Sequence, residues 1–328
     1  MKQRLRKIEY VSLQYSPYIL FIVIFVIFST LSPRFFQIKS LENIVTQASY
    51  IGIVAVGITV VLLTAGIDLS VGSNMYLSAS VAGLLMNNFG VPPLIGLLAC
   101  LLTGLVFGLV HAFLITRLRI IPFIATLGTM VAGRGLALLF TKSRAVAFPD
   151  SIIQIGSTRF IGIPLPILIF ATVVLIIHVF LKYTASGRQI YAVGHNIEAA
   201  KKAGIDTKKI LSKAYITCGV LAALGGFISV VQLGIINAGF GQNDEFDAIA
   251  AAIIGGASLF GGVGHVFPGT ALGAILIQMI STGLVFIRVN LYVQPILTGA
   301  IIFLAVWLDS QRNGRLAKMR QRTIRVEE

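Results

Sequence analysis

The sequence predicts an all-α, polytopic membrane protein of about ten transmembrane helices, and three observations carry that prediction. Hydrophobic residues make up 56% of the 328 and charged residues only 12%, about half the charged share of a soluble domain. Mean hydropathy is +0.91, so there is too little polar surface to cover a soluble globule of this size. The apolar residues fall into runs that approach the ~20 residues needed to cross a bilayer.

In chain order the candidate spans are 17–32, 46–64, 73–88, 93–115, 121–140, 163–181, 214–234, 247–260, 266–287 and 292–308. The first follows a basic stretch (Lys2, Arg4, Arg6, Lys7) without a small-x-small cleavage site, and reads as an uncleaved signal-anchor. The third and eighth are short and abut Gly-rich breaks, which suggests partial or re-entrant helices. Pro122, Pro164, Pro166 and Pro268 fall at span starts, where a missing N–H costs little. Gly104-xxx-Gly108 and Gly269-xxx-Gly273 have the small-residue spacing that lets membrane helices approach closely.

The basic residues orient the chain. With the N-terminus in the cytosol, loops 1–16, 117–120, 182–213 and 309–328 hold four, two, seven and six Lys or Arg, together 19 of the 26. That satisfies the positive-inside rule and places both termini in the cytosol. The organisation is then a cytosolic tail (1–16), a transmembrane domain (17–310) with the cytosolic loop 182–213, and a basic cytosolic tail (311–328). The net charge of +14 is a topology signal with anionic lipid headgroups as neighbours, and nucleic acid is not an expected partner.

Polar features stand out against this background. Gly66-Ile67-Asp68-Leu69-Ser70-Val71-Gly72-Ser73 brackets a carboxylate with glycines after the second span. A charge at such depth must be paired or face a wet cavity. Asp68 is also a good residue to cap the helix that follows. The glycine run Gly255 to Gly264 has the same place in the second half of the chain, hinting at an internal repeat. Arg134 is a strong cation well inside the fifth span; it must pair, snorkel or line a pathway. The stretch Gly187 to Lys213 is a long polar island. Asn196 is placed to start a short helix and Gly204 to stop it, which makes the island either a solvated loop or a handle for a soluble partner.

Catalysis and cofactors find no support. The four histidines are scattered, Cys100 and Cys218 sit in apolar segments, and no metal motif, nucleophile elbow or phosphate loop occurs. No cofactor is expected, and any ATP hydrolysis must take place in another subunit.

Four motifs in order now carry a resemblance: Gly-Ile-Asp-Leu-Ser-Val-Gly-Ser (66–73), Ile-Ala-Thr-Leu-Gly-Thr followed by Arg134-Gly-Leu-Ala-Leu (124–138), Gly-Arg-x-Ile-Tyr-Ala-Val-Gly-His-Asn-x-Glu-Ala-Ala (187–200), and Asp-Ala-Ile-Ala-Ala-x-Ile-Ile-Gly-Gly-Ala-Ser-Leu-x-Gly-Gly (247–262). Together they resemble the ribose-type sugar ABC importer permeases, over residues 17–310. The resemblance implies a permease dimer, a cytosolic ABC ATPase and a periplasmic or lipid-anchored solute-binding protein in a bacterial inner membrane. It implies a monosaccharide as solute. Autoinducer-2, a nucleoside or a branched-chain amino acid is the alternative within the family, and a secondary ion-coupled transporter is the alternative outside it. Carried over, Gly187, Arg188, Asn196, Glu198, Ala199, Ala200 and Gly204 belong to an ATPase-coupling element. Gly66, Asp68, Ser70, Gly72 and Arg134 become pathway or structural residues. Gln242, Asn243, Asp244 and Glu245 become a docking surface for the binding protein. His195 departs from the family's usual small or polar residue.

Overall fold

The computed structural model describes residues 16–304 and Trp307. The two tails read from the sequence, apart from Ser16, lie outside these residues. The chain forms α1 (Ser16–Leu31), α2 (Ile38–Leu62), α3 (Val71–Phe89), α4 (Pro93–Thr116), α5 (Pro122–Thr141), α6 (Asp150–Ser157), α7 (Leu165–Tyr183), α8 (Ala185–His195), α9 (Ile197–Lys202), α10 (Thr207–Leu233), α11 (Asp244–Ile254), a π-turn (Val266–Thr270) leading into α12 (Ala271–Phe286), and α13 (Gln294–Leu304). Each of the ten apolar segments read from the sequence overlaps a helix among the described residues, although the eighth helix stops at Ile254. Among the described residues six helices are long and apolar enough to cross a membrane: α2, α4, α5, α7, α10, and the π-turn with α12. The protein is therefore a helical, multi-span membrane protein. The strands are two-residue ribbons: Val146–Ala147 (β1) pairs with Ile235–Ile236 (β4), and Arg159–Phe160 (β2) with Ile163–Pro164 (β3).

The helix boundaries follow local chemistry. Proline stands in the first turn of α4, α5 and α7, where its fixed φ suits the helix and no N–H is wasted. Gly90 and Gly234 end α3 and α10 in the left-handed region, at φ +63° and +72°, and each donates its N–H back to the last turn.

The chain divides into two units, one of residues 1–42 and 276–328, the other of 43–275. In the described part of the first, Phe35 is fully buried and meets Phe28 and Phe286 at ring-centroid distances of 5.6 and 6.0 Å.

In the second unit, α10 is the spine. Its apolar window and that of α2 are 78% buried, whereas those of α4, α5 and α7 are below a third; the latter three turn their apolar faces outward, as helices in lipid do. Helix α2 runs antiparallel along the spine. Gln232 donates to Thr46 O (2.7 Å) near one end, and a Cβ on Gly57 would lie 3.1 Å from Cys218 Cα further along. Helix α4 approaches α10 backbone to backbone: a Cβ on Gly219 would lie 2.8 Å from Gly108 N, and one on Gly104 would strike Gly219 O. The small-residue spacing 104/108 works as expected. So does 269/273, since Gly269 and Gly273 press on the carbonyls of Gly255 and Ala251.

Candidate functional site

The first polar centre is the break after α2. The helix ends at Leu62, Ala65 turns the chain at φ +60°, and residues 66–70 run without regular structure into α3. Tyr215 packs so closely on Gly66 that any side chain there would meet its hydroxyl. Asp68 is 1% exposed. Its Oδ1 accepts the Ser70 N–H (2.9 Å) and the Ser70 hydroxyl (2.7 Å). Its Oδ2 lies 3.6 Å from Nδ1 of His111, which is fully buried on α4. The other ring nitrogen of His111 is 2.6 Å from Thr129 Oγ1 on α5.

This corrects one expectation. Ser70, not Asp68, occupies the N-cap position of α3, and it makes no side-chain cap bond. Asp68 instead fixes the residue before the helix through a two-residue turn, and joins α3, α4 and α5 through His111 and Thr129. His111 escaped sequence reasoning because it belongs to no motif. The available signal was its position: a lone imidazole in an otherwise apolar span, as unusual as the carboxylate it meets.

Arg134 neither snorkels nor meets Asp68. Its guanidinium donates to Ala238 O (3.1 Å) and Phe240 O (3.3 Å) and lies 5.5 Å from the centroid of the Tyr76 ring. It thereby ties α5 and α3 to the connection between α10 and α11. Gly72, at the start of α3, is pressed against Gly241 of that connection, with the Glu245 carboxylate close by. Gln242 and Asn243 are exposed, Asp244 is half-buried, and Glu245 is buried at 7%. The Glu245 side chain is turned inward, against Gly72.

The polar island 182–213 is far more structured than a loop with one helical turn. Thr184 caps α8 by accepting Gly187 N–H (3.0 Å), and Gly187 sits where a Cβ would strike the Phe180 and Leu181 carbonyls. Asn196 caps α9 by accepting Ala199 N–H (2.9 Å), and Gly204 turns the chain at φ +79°; both were legible in the sequence. Asp206 caps α10 through Lys209 N–H (3.0 Å). Arg188 is exposed, and its guanidinium donates to Tyr183 O (3.5 Å). Glu198 and Lys201 pair at 2.6 Å on the surface. Residues 195–199 and 201–204 form one exposed ridge, while Ala200 is turned inward. Helix α8 was missed because it mixes small, polar and aromatic residues without a strong apolar period.

Beneath that ridge lies a junction the sequence did not reveal. Gly194 packs against Leu63 O and Gly262 N, and Gly262 N–H donates to Leu63 O (3.0 Å). Tyr191 donates its hydroxyl to Gly264 O (2.9 Å). Burial raises the Tyr191 phenol above its ordinary value, so it stays protonated and remains the donor. Helix α8 thus holds the ends of both Gly-rich breaks at once.

With this geometry in view, the comparisons decide the family. Residues 40–306 match the family described as branched-chain amino acid transport system / permease component. The ribose import permease of Escherichia coli K12 is 38% identical over 296 residues, covering 89% of this chain and 92% of the relative. The chain belongs to the sugar ABC importer permease family. Its ribose-permease relative in Bacillus subtilis 168 is 34% identical over 301 residues (90% and 92% covered), and the D-allose transport system permease of E. coli K12 is 35% identical over 298 (90% and 91%). No solved structure matches. Family membership and six apolar helices make this a multi-pass bacterial inner-membrane protein.

Proposed function

We propose that this permease passes a pentose- or hexose-type monosaccharide through the membrane, delivered by an external binding protein and driven by a separate cytosolic ATPase that grips α8 and α9. The named relatives carry ribose, allose and galactose or methyl galactoside. These solutes share one chemistry, a neutral polyhydroxylated ring. Other family solutes, a branched-chain amino acid foremost in view of the family description, form the second reading.

The observation that carries the coupling role is the short α9, capped at both ends and exposed along one ridge, resting on α8. A docked helix of this kind moves as a unit with what it touches, which is how a rigid-body step in an ATPase reaches a membrane domain. The proposed topology follows the Lys/Arg distribution, with about ten crossings and both termini cytosolic. A second permease copy completes the pathway.

The test is uptake in proteoliposomes holding permease, ATPase and binding protein. Glu198→Lys, or Gly204 replaced by a bulky residue that resists φ +79°, is expected to leave insertion intact and abolish ATP-dependent uptake. Full uptake with normal ATPase association removes the coupling assignment. An uncoupler that stops uptake while ATP is held constant favours an ion-coupled carrier instead.

A further inference from the structure

We infer that the connection 237–243 folds inward to the middle of the membrane domain and lines the solute path there, with Gln242 and Asn243 facing the solute and Arg134 as the tether that holds the segment in place. The inference rests on the proposed transport role for its solute, and on geometry for the rest.

Height can be read along α10. The top of that helix, Leu233, leads to Gly234 and to β4, which pairs with β1. Helix α3 meets the same level late in its course: Gly83 packs on Phe148 and Val146, and Asn87 donates to Ala147 O (2.8 Å). The start of α3 lies far below. Asn74 donates to Gly219 O (2.9 Å), and a Cβ on Gly226 would lie 2.9 Å from Met75 Cα. Gly219 is at the middle of the 27-residue α10, and Gly226 lies seven residues below its end at Leu233. From Gly72 to Gly83 is eleven helical steps, roughly 16 Å. Gly241 touches Gly72. The chain leaving the top of α10 has therefore come back down about half a bilayer before α11 begins.

Helix α11 completes the crossing. It has 11 residues, roughly 16 Å, and leads to Gly261 and Gly262, which pack against Ala65 and His195 at the far end. One crossing is thus made half by irregular backbone and half by helix, which accounts for the shortness of the eighth apolar segment.

Irregular backbone at this depth survives only when buried in protein or lining water. Phe240 and Gly241 are buried, but Asn237, Gln242 and Asn243 are exposed. A primary amide facing hydrocarbon loses its hydrogen bonds at a cost of a few kcal/mol. A water-filled path satisfies these groups, and amides that both donate and accept suit a polyhydroxylated solute. The same residues were expected on an external docking surface; their level along α10 argues for the interior.

The test uses Gln242→Cys and Asn243→Cys in the complete transporter. Cys100 and Cys218 are buried and give little background. A membrane-impermeant, positively charged methanethiosulfonate is applied from either face. Labelling of both positions, with uptake reduced at least fivefold and an unchanged half-saturating concentration of binding protein for ATP hydrolysis, is the expected result. No labelling from either face overturns the inference and points to a covered interface. Labelling that shifts the binding-protein dose-response also overturns it, in favour of docking. For the tether, Arg134→Lys cannot span both carbonyls and is expected to lower maximal uptake about tenfold at the same dose-response; full uptake removes that role. Labelling can be read without transport, so failure of the sugar-importer reading leaves it interpretable.

Discussion

The two Gly-rich breaks look alike in sequence and do different physical work. The first, 63–73, surrounds a buried carboxylate with a hydroxyl, a backbone N–H and an imidazole, linking three helices through polar contacts. The second, 255–264, contains no charged residue and is held mainly by backbone contact, to Gly269 within the membrane domain and to Gly194 on α8, with the Tyr191 hydroxyl on Gly264 O. In the first, Gly66 makes room for the Tyr215 side chain, while Gly72 meets the Gly241 main chain. The glycines of the second remove side chains so that main chains can touch. Glycine content signals a break in a membrane helix, but what the break does depends on what fills the space.

The comparison is broken most forcefully at Asp68. Asp68→Ala removes the acceptor that Ser70 N–H uses and the carboxylate beside His111 Nδ1, and each buried polar group left unsatisfied costs about 1–3 kcal/mol. Thermal unfolding of the detergent-solubilised protein should show it. Asp68→Asn keeps the shape and its bond to Ser70 N–H, so it should unfold later than Ala yet still transport poorly; uptake at the unsubstituted rate would show that the charge has no role. Gly194→Val tests the other break. Its Cβ would collide with main chain, which is overpacking and costs about 1–3 kcal/mol, and ATP hydrolysis by the associated ATPase should become uncoupled from uptake. A stable, fully coupled Gly194→Val would mean that α8 does not press on the breaks. The smallest effect belongs to the surface. Glu198→Gln removes an exposed ion pair worth a few tenths of a kcal/mol, so melting should not move measurably, and any loss of uptake reports the ATPase contact.

Much of the fold was legible. Every apolar run overlaps a helix among the described residues, six of them of membrane-crossing length, Asn196 and Gly204 bracket α9, and the 104/108 and 269/273 spacings mark close approaches. Two kinds of information were not legible, for physical reasons. Hydropathy reports composition, not depth, so nothing in the polar stretch 241–245 signalled that Gly241 rests on Gly72 at the start of α3. Long-range pairing leaves no local trace, so His111 and Tyr191 carried no signal until Asp68 and Gly264 were seen beside them. Arg134 was recognised as a residue needing partners, but carbonyls a hundred residues away could not be guessed.

The contact of α4 with α10 has a mechanical consequence. Side chains between two helices act as gear teeth: they can slip from one rotamer to the next and let the helices slide. Here Gly104, Gly108 and Gly219 put main chain directly on main chain, and Asn74 of α3 is anchored to the same Gly219 carbonyl. No teeth exist at that point to re-engage one notch along. Sliding would require the axes to separate first, losing the dispersion contact and the Asn74 bond together. The three helices therefore travel as one solid block, and the give in a transport cycle must come from the thin, irregular stretches at either end of α11.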